Sequence, residues 1–478
     1  KDAGSNEKVS EFSVAGSEIK NNKINKLKVP RVEDTKGKEY TLVLACEGSD
    51  EQNGLSFYVT QGNVGKLTVK GNDTNGVLVS RMLCYRFDVE TFIVLLGFVA
   101  FVYVFMRTFM WIRSIVKVSH HKIIGAIYFV IYAFFAVSLL SAFVLPQGTQ
   151  IQYIMKYISN YWIGVMLYSL MFIFLSDVIL FILKKKNIRL PFKYPFVVVG
   201  GIVIVCVSVV SIYGGLHVGD IKTREYSVTI DKECPDLKIA LVSDLHLGYS
   251  IGEKQMEKMV DIINQQNPDI VCIAGDIFDN DYRAVRNPDK IAEILKGIKT
   301  KYGVYGCWGN HDVTETLLGG FSVHSAENNE RDTRFEDLMK KSNVKILEDE
   351  AVLVDNKFYV VGRLDYEKTG KIGLERKTVH DLTENLDKTK PIIEIDHEPN
   401  EFDEKNDAGV DLDLGGHTHN GQLFPGNITI KLAWENPWGI IKVGNMTNVT
   451  TSGAGVWGPN MRVGTNCEVA IINVKKGR

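Results

Sequence analysis

Leu237-Lys-Ile-Ala-Leu-Val-Ser-Asp-Leu-His246 decides the fold of the C-terminal half of this chain. Leu237–Val242 is an almost unbroken apolar run, as in a strand buried on both faces, and just beyond it stand Asp244 and His246. The same device recurs downstream. Asp269–Ala274 runs into Gly275-Asp276, and Gly303–Trp308 into Gly309-Asn310-His311-Asp312. Pro391–Ile395 is followed by His397, and Asp411–Leu414 by Gly416-His417-Thr418-His419. Between the first runs, Met256, Met259, Val260 and Ile263 recur at helical spacing behind Ser250-Ile-Gly-Glu253, which has the form of a capping box, and Ile291–Ile298 reads as a helix. Val344–Leu347, Ala351–Val354, Phe358–Val361 and Val469–Val474 add strand-like runs. Helices interleaved early with strands, then mostly strands, predict an α/β sandwich with sheets inside and helices outside.

Polar clusters at strand ends converge on one place, because open α/β sheets gather ligands beyond the carboxyl ends of their strands. Imidazole and carboxylate donors without thiolates favour Mn, Fe or Zn. Alternation in Asp244-Leu-His246 and in His417-Thr-His419 predicts that each pair points to one side, as in a strand. One carboxylate must bridge two ions, and Asp276 is placed for that. Gly275, Gly309, Gly415 and Gly416 let backbone come close. Singly these motifs are weak: Asp-x-His is more often a surface turn, and Asn-His beside Gly can be only a turn. Five of them in this order after apolar strands occur by chance less than roughly once in a hundred.

Working outward, the 478 residues divide into three expected regions. Residues 1–87 hold a polar arm and a small β-rich segment, with strand-like runs Tyr40–Cys46, Leu55–Thr60, Lys66–Lys70 and Val77–Tyr85. Residues 88–216 hold four apolar stretches, Thr91–Trp111, Ile123–Leu145, Tyr161–Leu183 and Tyr194–Leu216. Each approaches or exceeds the roughly 20 residues that cross a bilayer, so an all-α four-span membrane region is expected. Arg113, Lys117 and Lys122 lie in the first connection and Lys184, Lys185, Lys186, Arg189 and Lys193 in the third, whereas Pro146–Asn160 carries only Lys156. The positive-inside rule then puts both chain ends on the extracytoplasmic side of a plasma membrane. Asp177, an acid within the third stretch, is expected to face another helix rather than mark a transport path. Residues 226–478 form the third region.

A formal net charge of −2 argues against nucleic-acid binding by bulk charge. Seven cysteines at irregular spacing, with no Cys-x-x-Cys, are neither a disulfide framework nor a zinc ribbon; a Cys46–Cys84 pair is conceivable. The sequence begins at Lys1 and not at Met, as in a processed or truncated product.

The set Asp244-Leu-His246, Gly275-Asp276, Gly309-Asn310-His311-Asp312, His397 and Gly416-His417-Thr418-His419 resembles the motif set of the calcineurin-like metallophosphoesterases. Asp396-His397-Glu398-Pro399 and His419-Asn420-Gly421-Gln422 are closer still to the bacterial membrane-associated branch resembling YkuE, which often has Gly where this chain has Asn420. The resemblance spans about residues 226–478 and implies two divalent ions (Mn, Fe or Zn). One would be held by Asp244, His246, Asp276 and His419, the other by Asp276, Asn310, His397 and His417. His311 would serve the leaving group and Asp312 would orient it. A metal-bridged hydroxide would attack phosphorus. Thr451–Pro459 with Arg462 resembles a loop of that branch, in which Arg462 would bind the substrate phosphate; Trp438 and Trp457 line a groove or merely pack. The implied substrate is a phosphorylated envelope lipid or cell-wall phosphate, cleaved at a phosphomonoester, phosphodiester or pyrophosphate bond. A nuclease of the same fold and a non-catalytic receptor with a degenerate hydrolase domain are the alternatives.

Overall fold

The computed structural model of the chain describes residues 59–61, 67–69, 72–74, 76–78, 89–315, 317–318, 321–322, 331–366, 368–369 and 373–477. Two compact units divide the chain, Lys1–Ile93 and Val94–Arg478. In the first lie four short strands, β1 (Val59–Gln61), β2 (Leu67–Val69), β3 (Asn72–Thr74) and β4 (Gly76–Leu78). β1 pairs antiparallel with β4, and β2 with β3. The run Tyr40–Cys46 and the Cys46–Cys84 pair lie outside the described residues.

Four long helices follow: α1 (Val89–Ser119), α2 (Lys122–Val144), α3 (Gln150–Lys185) and α4 (Pro195–His217). All four are long and apolar enough to cross a bilayer. Their outward faces expose large apolar side chains such as Phe98, Phe129, Phe181 and Val205, which suits lipid and not water. Asp177 of α3 meets α1, where it accepts from Tyr103 Oη at 2.7 Å and pairs with Arg107. An acid and a base that satisfy each other inside a bundle need no transport role.

α3 departs from the sequence expectation, which left Pro146–Asn160 as a loop. The helix starts at Gln150, capped by Thr149, whose side chain accepts from Gln152 N at 3.3 Å. Its first turns are too polar to be read as part of a span. They are helical because they pack on the C-terminal domain: Gln152 Nε2 donates to Tyr249 Oη at 3.0 Å and Tyr153 Oη to the Tyr249 carbonyl at 2.8 Å. Asn160 Nδ2 reaches Ser250 Oγ at 3.5 Å. Ser250-Ile-Gly-Glu253 forms no capping box, because the helix starts later than expected. The helix behind it, α5 (Glu253–Gln266), starts from Gly252 with no side-chain cap.

The C-terminal domain is the expected α/β sandwich. One six-stranded sheet holds β5 (Ile221–Ile230), β6 (Leu237–Val242), β7 (Ile270–Ala274), β8 (Val304–Cys307), β11 (Val344–Ile346) and β18 (Cys467–Lys476), in the order β11-β8-β7-β6-β18-β5. A small hairpin of β9 (Leu317–Leu318) and β10 (Phe321–Ser322) lies between β8 and β11 in sequence. The second sheet holds β12 (Glu350–Val354), β13 (Phe358–Gly362), β14 (Ile392–Ile395), β15 (Leu412–Gly415), β16 (Gly439–Val443) and β17 (Met446–Thr450), in the order β12-β13-β14-β15-β17-β16. Leu241, Cys272 and Ile472 of the first sheet pack on Val360, Ile393 and Leu412 of the second. α5, α6 (Pro288–Lys296) and α7 (Thr333–Lys341) cover the first sheet through Met256, Leu295 and Phe335. α8 (Val379–Thr383) and α9 (Phe402–Asp407) cover the second.

Register positions the site. β6, β7 and β8 run parallel with Val242 opposite Ile273 and Ala274 opposite Cys307. In the other sheet Ile395 stands opposite Leu414, and Gly415 opposite Thr450. The loops that follow all five strands therefore leave from one edge of the sandwich.

Candidate metal centre

At that edge, the described residues include two triads, buried except for the half-buried His417. Asp244, His246 and His419 form one, and Asp276, His397 and His417 the other. In the first, His246 Nε2 is 3.0 Å from His419 Nε2, which is 3.4 Å from Asp244 Oδ1. In the second, His397 Nε2 lies 3.2 Å from Asp276 Oδ2 and 3.2 Å from His417 Nδ1. Asn310 Oδ1 sits 3.0 Å from each of those imidazole nitrogens. Asp276 Oδ2 also stands 3.7 Å from His246 Nε2, so one carboxylate oxygen faces both triads.

These separations fit metal ligands. Bonds of about 2.1 Å set neighbouring donors about 3.0–3.4 Å apart in octahedral or tetrahedral shells. Asp244 Oδ1 supplies a second test: it is buried and accepts no hydrogen bond, a costly state for a carboxylate that a cation relieves. The donor set is oxygen and imidazole, suited to Mn, Fe or Zn.

The local backbone is not what strand alternation predicts. β6 ends at Val242, and Asp244 and His246 lie beyond it with φ of 51° and 44°. Asp276, His417 and His419 also have φ of 50°, 70° and 50°. Left-handed backbone is uncommon for such residues and collects at functional sites, held by its surroundings. His417 and His419 consequently serve different triads instead of sharing one face. Glycine supplies the room: a Cβ on Gly416 would sit 2.6 Å from Asp244 Oδ2, and one on Gly309 2.9 Å from Asp276 Cγ.

The electrostatics follow from burial. Burial pushes Asp276 up, but His397, His311 and His246 outweigh it and hold the carboxyl well below the usual range. Asp244 is raised, by burial first, against the pull of His397. Burial, with His246 and Arg462 nearby, keeps His419 well below the ordinary histidine value, hence neutral and able to ligate.

Two expected roles are corrected. Asp312 does not touch the His311 ring. Its carboxylate accepts from Phe278 N at 2.8 Å and Gly309 N at 2.7 Å, locking the two site loops together, and burial pushes it up to about 7. Asn280 Oδ1 contacts His311 Nδ1 instead, and His311 N donates to Asp276 Oδ1 at 2.8 Å. Arg462, the substrate-phosphate candidate, is fully buried. Its guanidinium donates to the carbonyls of His419 at 2.8 Å, Ser452 at 2.6 Å and Gly455 at 2.8 Å, and lies 3.2 Å from His419 Nδ1. It positions the His419 loop. Trp438 packs away from the site, donating to Glu468 at 3.0 Å, while Trp457 lies against His311 with ring centroids 6.1 Å apart.

Three residues at the centre escaped sequence reasoning. Asp279 Oδ1 is 3.8 Å from His246 Nδ1 and completes a further cluster with His246 and His311. Asn280 holds His311, and Trp434 packs edge-on against His417 at 5.0 Å. Asp279-Asn280 follows Asp276 closely enough to have been noticed; nothing in the sequence signals Trp434.

Residues 237–421 match the family model described as calcineurin-like phosphoesterase. This chain carries a calcineurin-like phosphoesterase domain. Its relatives agree. An uncharacterised metallophosphoesterase of Campylobacter jejuni is 29% identical over 57% of this chain and 68% of its own. A Danio rerio transmembrane protein with metallophosphoesterase domain is 28% identical over 57% of this chain and 62% of its own. An Aquifex aeolicus metallophosphoesterase is 27% identical over 55% of this chain and 95% of its own. The calcineurin-like domain is that of a metal-dependent phosphoric ester hydrolase, and among the described residues four helices are able to span a membrane.

Proposed function

We propose that the protein is a membrane-anchored phosphoesterase with a two-ion centre, hydrolysing a phosphomonoester, phosphodiester or pyrophosphate bond in an envelope lipid or cell-wall substrate. The carrying observation is Asp276 Oδ2, which faces His397 at 3.2 Å and His246 at 3.7 Å. Asp244, His246, Asp276 and His419 would hold one ion, and Asp276, Asn310, His397 and His417 the other. Bound there, divalent ions supply charge for the phosphoryl oxygens and make water a nucleophile at neutral pH. The chain's own groups do the rest. Asp279, 3.8 Å from His246 Nδ1, places a negative charge behind that imidazole. His311, steered by Asn280, delivers a proton to the leaving oxygen.

The domain is assigned to the extracytoplasmic face of the plasma membrane. α3 begins against the domain and carries Lys184 and Lys185 in its far turn, where the positive-inside rule puts the cytoplasm. A reporter fused after Arg478 is expected to be active only outside; activity confined to the cytoplasm contradicts this.

The test of the reaction is hydrolysis of an aryl phosphomonoester and an aryl phosphodiester by the metal-stripped full chain. Mn, Zn, Fe or Mg is added back, with Asp276→Ala as control. Metal-dependent turnover absent from the control is the expected result. No turnover by a folded, metal-loaded chain would remove the reading.

A further inference from the structure

Beyond the last ligand, His419, the chain turns toward the membrane helices. Leu423 is buried with Tyr168 of α3 and Met461, beside Val210 of α4. The fit is close: a Cβ on Gly164 would lie 2.7 Å from Met461 Sδ, and one on Gly214 2.8 Å from Val463 Cγ2. Tyr168 lies about 10 Å along α3 from Tyr161, where the apolar stretch begins. The loops at Leu423 and Met461 therefore touch α3 at a level that its hydropathy places in the bilayer.

From there the chain continues as Phe424–Trp434, with a short helix α10 (Gly426–Thr429) and a 3-10 turn at Ile430–Leu432. Phe424 is 42%, Ile428 58% and Leu432 90% exposed, Phe424 just before α10 and the other two within α10 and the 3-10 turn that follows it. Lys431 is exposed beside them, and Trp434 closes the segment against His417 at 5.0 Å. Apolar side chains with a basic residue and a tryptophan are the make-up of an interfacial segment.

We propose that Phe424–Trp434 is seated in the interfacial layer of the bilayer that α1–α4 cross, and that the substrate is a phosphoester carried on a lipid, entering the centre from the membrane past Trp434. The bilayer is the occupant because the segment continues a surface already packed on α3 and α4. The proposal rests on the phosphoesterase reading above and narrows its substrate from envelope phosphates in general to lipids.

The experiment uses the full chain in phosphatidylcholine vesicles. Phosphatidic acid or a polyprenyl diphosphate serves as lipid probe, and an aryl phosphate as soluble probe. Phe424→Ser/Ile428→Ser/Leu432→Ser is compared with the parent, and Leu432→Ser, at an exposed position, guards against misfolding. Lipid turnover is expected to fall at least about tenfold in the triple variant, with soluble turnover within about twofold, since the apolar side chains that seat the segment in the interface are gone. Equal loss on both probes, or loss on neither, overturns the proposal. So does a parent that cleaves the soluble ester and no lipid, an outcome that leaves the phosphoesterase reading standing. A parent inactive on every ester removes both.

Discussion

Asn280 is the residue on which the proton delivery proposed for His311 depends, because its side-chain oxygen is what the His311 ring meets. Asn280→Ala should lower kcat about 10²-fold for an alkyl phosphoester, whose leaving group needs a proton, and only a few-fold for a nitrophenyl ester. Equal losses on both would make Asn280 a structural residue. The seven candidate ligands were legible from residue type and from their place after apolar runs. Asp312 and Arg462 were misread because sequence shows polarity but not burial: one is spent on two backbone amides, the other on three carbonyls. Behind the centre, Glu394 lies fully buried with neither carboxylate oxygen hydrogen-bonded, Oε1 standing 3.7 Å from Arg363 and 3.8 Å from Lys405, with Asp396 and Asp413 nearby. Burial, with Asp413 and Asp396 adding and Lys405 and Arg363 opposing, pushes it up to about 8. A raised carboxyl contributes stability that is complete below its ordinary value and is lost as pH rises through about 8. Glu394→Gln should flatten the decline in melting temperature between about pH 5 and pH 9; an unchanged decline would place its origin elsewhere.

At the scale of elements, α3 does two jobs that the sequence separates poorly. Its central apolar part reads as a span, but its first turns carry Gln150, Gln152, Lys156 and Asn160 and look like a loop until their partners on the domain are known. Hydropathy locates what lipid covers and says nothing about a polar helix face covered by protein. The strands β6, β7, β14 and β15 were legible because they are buried on both sides and mostly apolar, β7 wholly so. β16, with its alternating exposure, and β5, mostly exposed in its first half, were not. The contact of α4 with the domain depends on Gly214, whose hydrogen faces Val463. Gly214→Val should cost about 1–3 kcal/mol through overpacking, seen as a lower melting temperature in detergent. A neutral result would mean that α4 and the domain are not in register as described.

For the whole of the second unit, membrane helices and phosphoesterase domain share one packed body, so the domain is not a separable module. A fragment from Tyr226 to Arg478 removes half of edge strand β5, whose Ile221–Glu225 pair with Cys467–Ile471, and uncovers Met461. It should aggregate or melt well below the full chain in a thermal scan; a monomeric fragment of equal stability would contradict the packing on α3 and α4. The sequence divided the chain at the same place that composition changes, and composition alone could not reveal that the two parts interlock. The central claim, that Asp276 joins two metal shells, is tested most directly by counting ions. Metal-stripped full chain titrated with Mn or Zn should bind two per chain, His417→Ala one, and Asp276→Asn neither tightly, because the shared oxygen loses its charge. Two tightly bound ions in Asp276→Asn, or a single ion in the parent, would contradict the account.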